Sequence, residues 1–99
     1  MKGGKSFIAQ LRAKPGRGAE LIRLQVEMKG LVFEREPDAI VYELFQSEDD
    51  EDLFQVVATF RDDAAFDHHM AVDFHEALVP PILDCVEGEM EIAFYRSLG

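Results

Sequence analysis

Phe60-Arg61-Asp62-Asp63-Ala64-Ala65-Phe66-Asp67-His68-His69-Met70-Ala71-Val72-Asp73-Phe74-His75 is the stretch that decides how this chain folds. An aromatic closes a strand, and Asp62 or Asp63 then caps a helix by accepting hydrogen bonds from its first free amides. Phe66, His69, Met70 and Phe74 recur along one side of that helix. One titratable ring, His69, thus falls at the edge of an apolar face beside an inward-pointing strand end. The helix is expected to continue to Leu78 and to stop at Pro80-Pro81.

Working outward, Leu53 to Arg61 and Ile40 to Gln46 read as strands joined across the acidic run Glu48-Asp49-Asp50-Glu51-Asp52. Upstream, Leu21, Leu24, Val26, Met28, Leu31 and Val32 return at roughly helical spacing between Gly18 and about Phe33. Glu36-Pro37-Asp38 ends that helix, because the residue before proline is pushed out of the α region. Ser6 to Ala13 alternates as a strand and breaks at Pro15-Gly16. Val86 to Arg96 supplies the last strand. The order β-α-β-β-α-β predicts an α+β, ferredoxin-like fold: a four-stranded antiparallel sheet with two helices on one face. The opposite face would carry Ile8, Val41 or Tyr42, Leu53 or Phe54, and Phe94 or Tyr95, depending on register. So apolar a surface predicts a homodimer that buries the open sheet faces against each other.

Bulk properties narrow the function. Ninety-nine residues suit one domain spanning 1–99, small enough for a partner subunit to supplement its core. A formal net charge of −10 repels phosphate backbones and anionic lipid, which argues against nucleic-acid and membrane roles. No signal-peptide pattern opens the chain, and no apolar run approaches the ~20 residues of a membrane span. The single Cys85 has no internal disulfide partner. Together these features point to a cytoplasmic setting.

These residues carry a family resemblance. Pro15-Gly16 after strand one, Glu36-Pro37 before strand two, Tyr42-Glu43-Leu44 with Ser47 behind it, and Ala65-Phe66-Asp67-His68-His69 in the second helix occur in a telling order. The chain resembles the antibiotic biosynthesis monooxygenase family of dimeric α/β-barrel proteins from Phe7 to about Arg96. The resemblance implies a homodimer, and it implies oxygenation of a small aromatic or quinol-type substrate without metal or flavin. His69 stands where the family often has a histidine, and Phe60 where it often has tryptophan or another aromatic. Ala58 stands where glutamate is common, and Phe74-His75 stands where His-Phe is common, so the family's second helix histidine is absent unless a one-residue shift restores it. Haem-degrading members are a poor match, because this chain has no tryptophan.

The residues themselves support the same chemistry. A histidine titrating near neutrality can remove a proton from a hydroquinone or enol, making it a better one-electron donor to triplet oxygen. Asp73, four residues on, would hold the ring from the same side of a continuous helix. Phe60, Phe66, Phe74 and Tyr42 would line an apolar pocket between sheet and helices. The predicted site is therefore His69 and Asp73 as catalytic groups within those four walls, with no cofactor. No metal is expected either: His68 and His69 point about 100° apart on a helix, and His69 with Asp73 offers only a pair of ligands. A competing reading keeps the same pocket but assigns it to a non-catalytic homodimer that binds a small hydrophobic molecule.

Overall fold

Alternation along the first strand makes the whole sheet two-sided. In the computed structural model, which describes residues 2–99, the first strand β1 (Lys2–Arg12) buries Phe7, Ala9 and Leu11 and leaves Ile8 and Gln10 half-exposed. There follow α1 (Gly18–Arg35), β2 (Ala39–Gln46), β3 (Leu53–Phe60), α2 (Asp63–Ala71), α3 (Asp73–Asp84) and β4 (Glu91–Leu98). The strands form one antiparallel sheet in the order β2-β3-β1-β4, so the ferredoxin-like α+β plan holds. The register sets Phe7 beside Ala58 and Phe94, Ala9 beside Val56 and Ile92, and Tyr42 beside Ala58. Paired residues share a face, so all of these point toward the helices.

The register also settles which residues remain on the uncovered face. They are Ile8, Val41, Leu53 and Tyr95, together with Val57, Phe45 and Ala93; Tyr42, Phe54 and Phe94 go to the helix side. Val41, Phe45 and Tyr95 stand exposed there. A hydrogen bond of 2.8 Å between Ser6 Oγ and Thr59 Oγ1 ties the middle of that face together.

Leu21, Leu24, Met28 and Val32 form the buried stripe of α1 at three- and four-residue intervals and close over the sheet, while Val26 lies on the outside. Asp62 caps α2 by accepting the Ala65 N–H at 2.8 Å. The expected single helix through Leu78 is instead two. Val72 takes an extended conformation (φ −72°, ψ 149°) that ends α2, and α3 starts at Asp73. A β-branched residue followed by a short acceptor favours such a restart: Asp73 Oδ1 receives the Phe74 N–H at 2.7 Å rather than serving a helix interior.

Two other expected boundaries move. Pro80 and Pro81 sit inside α3, which runs on to Asp84. Each proline removes a hydrogen bond to the carbonyl four residues earlier, and those residues, Glu76 and Ala77, are exposed to water. The last strand starts at Glu91, not Val86. Val86 makes only an isolated bridge to Ala13, and Gly88 at φ 73° turns the chain before β4. No helix among the described residues is long and apolar enough to cross a membrane.

Candidate active site

Glu36 is the first side chain of the site, and its position follows from the residue behind it. Pro37 forces Glu36 out of α1 into extended backbone (φ −119°, ψ 90°), and the Glu36 N–H closes the helix onto Val32 O at 2.8 Å. The side chain turns inward and becomes 4% exposed. His69, in the last turn of α2, arrives from the neighbouring helix and is 1% exposed. Its Nδ1 lies 2.8 Å from Glu36 Oε2, so the Nδ1–H donates to the carboxylate. That bond leaves Nε2 as the ring nitrogen with a lone pair to offer.

Three further rings hold the imidazole. Phe60 lies tilted against it at 4.9 Å between centroids, Tyr42 at 5.9 Å, and His75 meets it edge-on at 4.7 Å. The break at Val72 is what brings His75 there. A second imidazole, that of His75, thus stands beside His69. His75 is half-buried, and burial with the neighbouring His69 charge lowers its pKa to about 4, so it is neutral at pH 7. Burial, with help from the Glu36 charge, pushes the Tyr42 phenol up, and it stays protonated as a donor.

These groups open onto a cavity of about 340 Å³ between the sheet and the helices. Phe7, Ala9, Tyr42 and Val56 form the sheet wall; Gln25 and Met28 come from α1; Phe66, His69 and Met70 from α2; and His75, Val79, Ile82 and Leu83 from α3. Met90, Ile92 and Phe94 complete it as an apolar rim. No Asp, Glu, Lys or Arg belongs to the lining. The volume and the apolar walls suit an uncharged aromatic of a few rings.

The structure therefore groups some of the expected site residues and separates others. His69, Phe66 and Tyr42 meet at the cavity. Phe60 stands behind His69, fully buried, as a support for the ring. Phe74 is buried away from the cavity, with the Arg35 guanidinium 5.8 Å above its ring. Asp73 opens the next helix and is spent on the Phe74 amide, so the carboxylate at the imidazole is Glu36. The geometric reason is the Val72 break, which cancels the four-residue spacing that a continuous helix would have given. Among the described residues, no group of His, Cys, Asp and Glu is arranged to hold a metal ion. Glu36, Gln25 and His75 were not foreseen as site residues. The Glu36-Pro37 pair at the end of an amphipathic helix was the available signal for the first.

The sequence profile of the antibiotic biosynthesis monooxygenases matches residues 6–80. The chain belongs to that family. Its fold is shared with a candidate antibiotic biosynthesis monooxygenase from Caulobacter crescentus, at 22% identity and a TM-score of 0.93, covering 99% of this chain and 92% of that one. A second solved structure, named an antibiotic biosynthesis monooxygenase, is 25% identical with a TM-score of 0.85 over 96% and 99% of the two chains. A mutant form of SnoaB, a cofactor-independent oxygenase from Streptomyces nogalater, is 16% identical with a TM-score of 0.84 over 96% and 93%. A search of curated proteins finds no match by sequence.

Proposed function

We propose that this member of the family is a cofactor-independent monooxygenase acting on a small, uncharged hydroxyaromatic or quinol-type molecule, with His69 as the base. The observation that carries the reading is the buried Glu36–His69 pair, whose imidazole helps to line an apolar cavity. A carboxylate behind an imidazole orients the ring and stabilises the positive charge that develops when Nε2 accepts a proton. With the substrate hydroxyl at Nε2, proton removal leaves an aryloxide. The aryloxide passes one electron to oxygen, and superoxide recombines with the aryloxyl radical at a ring carbon bearing hydrogen. The peroxide takes back the proton from the imidazolium, and the resulting hydroperoxide loses the carbon-bound hydrogen as a proton while the O–O bond breaks, giving a carbonyl and water. One oxygen atom enters the product and the other leaves as water, so the substrate supplies all four electrons and no external reductant is needed.

The proposal includes a homodimer in which the uncovered sheet faces meet. Its support is the exposed apolar set Val41, Phe45 and Tyr95 on a face that no helix covers. It also includes a cytoplasmic setting, where the buried thiol of Cys85 stays reduced. The second reading, a non-catalytic binder of a small hydrophobic molecule, is favoured by the walls themselves, which carry no Asp, Glu, Lys or Arg among the described residues, and by Ala58 on β3.

Oxygen uptake with a panel of naphthols and hydroquinones separates the two. The wild type is expected to consume oxygen well above autoxidation, and His69→Ala to lose about 10²–10⁴-fold in rate. Ligand binding without any uptake, or uptake unchanged in His69→Ala, overturns the catalytic reading in favour of the binder.

A further inference from the structure

Gln25 is out of place on the buried stripe of α1. Its neighbours there, Leu21, Leu24, Met28 and Val32, are all apolar, yet Gln25 is buried to 6% exposure. Its Oε1 is sealed and has no hydrogen-bond partner among the described residues. Burying an amide without a partner is costly, and leucine would fill such a stripe without that cost. On its outer side, Gln25 borders a shallow groove with Lys29 and Glu43. Those two are engaged with each other and supply no partner. Its inner side helps to wall the main cavity, together with Met28 and Tyr42.

We propose that Gln25 determines which ligand the cavity selects, by hydrogen bonding to a second hydroxyl on the hydroxyaromatic whose first hydroxyl lies at His69. This rests on the reading of the cavity as the substrate site. A carboxamide both donates and accepts, and rotation about its terminal torsion presents either end. Gln25 comes from α1 and His69 from α2, so they mark separate regions of one wall. The hydrogen-bonding side chains of that wall, Gln25, Tyr42, His69 and His75, are polar without a fixed charge. The ligand class that matches is a neutral aromatic diol with its hydroxyls apart, in preference to a monophenol or an aromatic acid. A site built around a hydrogen bond rejects the analogue lacking the group, because the buried partner is then left bare.

Calorimetric titration under anaerobic conditions tests this with two matched pairs: 1,5-dihydroxynaphthalene against 1-naphthol, and 2,6-dihydroxynaphthalene against 2-naphthol. The wild type is expected to bind the diol of at least one pair about tenfold more tightly than its monophenol. Gln25→Leu should lose the preference, binding the diol no more tightly than its monophenol, with a melting temperature equal to or above that of the wild type. Gln25→Met is the second variant should leucine disturb the stripe, and the same loss of preference is expected of it. A wild type that binds both members equally, or a variant that keeps the full preference, overturns the role of Gln25 while leaving the cavity assignment intact. A wild type that binds none of the four at millimolar concentration removes the cavity reading, and the Gln25 proposal falls with it.

Discussion

The helices α1 and α2–α3 cover the same face of the sheet but are built differently. α1 is one uninterrupted helix of 18 residues with a regular apolar stripe. The chain from Asp63 to Asp84 is split at Val72 into α2 and α3. Had it stayed a single helix, residue 75 would lie six positions beyond His69, about 240° around and about 9 Å along the axis. The split instead brings the two imidazoles to 4.7 Å. Regularity makes α1 a wall that delivers an acid to the site only just past its end, where Pro37 stops it. Irregularity in α2–α3 gathers the titratable rings. Propensity and periodicity thus make the container, and the place where they fail makes the chemistry.

The largest effect expected from breaking this arrangement is at the link between the two regions. Glu36→Ala removes one partner of a buried pair and should cost about 3–5 kcal/mol in urea unfolding. Glu36→Gln, which can still accept the Nδ1–H bond, should cost clearly less; equal losses would show that the pair does not join the helices. Leu21→Ala, in the wall of α1 and fully buried, should cost about 2–5 kcal/mol while leaving the pH dependence of stability unchanged.

A smaller effect sharpens the contrast on the α3 side. His75 has a folded pKa of about 4 against an ordinary 6.5, so the unfolded chain takes up its proton first as the pH falls. Wild-type stability should therefore decline between about pH 6.5 and pH 4 and gain nothing from this group above that window. His75→Asn should flatten that part of the profile, by less than the full shift implies because the ring is half-exposed. An unchanged slope would place His75 in an environment no different from water. The smallest effect is that of Asp73→Ala, which loses one hydrogen bond to the Phe74 amide and about 0.5–1.5 kcal/mol. It should leave the pH profile of oxygen uptake unmoved; a shifted profile would return Asp73 to the imidazole in place of Glu36.

Much of the fold was legible because it rests on short-range regularities. The alternation of β1, the stripe of α1, the Asp62 cap and the turn at Gly16, whose φ is 78°, are each encoded within a few residues. The site was legible only in part. His69, Phe66 and Tyr42 could be named from periodicity and resemblance, and they do line one cavity. Asp73 and Phe74 were placed by extending a helical spacing across Val72, where the backbone abandons it. Glu36 was recognised as a helix stop, but its acid lies 33 positions from the imidazole it meets, a pairing no local pattern encodes.

Taken by itself, the order of residues determined the β-α-β-β-α-β succession, the alternation of β1 and the buried stripe of α1, since these follow from backbone sterics and periods of a few residues. Only the tertiary structure decided which carboxylate faces His69, that His75 joins it, and that the Gln25 Oε1 is buried with no partner among the described residues. Those outcomes depend on how separate elements dock, and docking is set by the packing of the whole core rather than by any one segment.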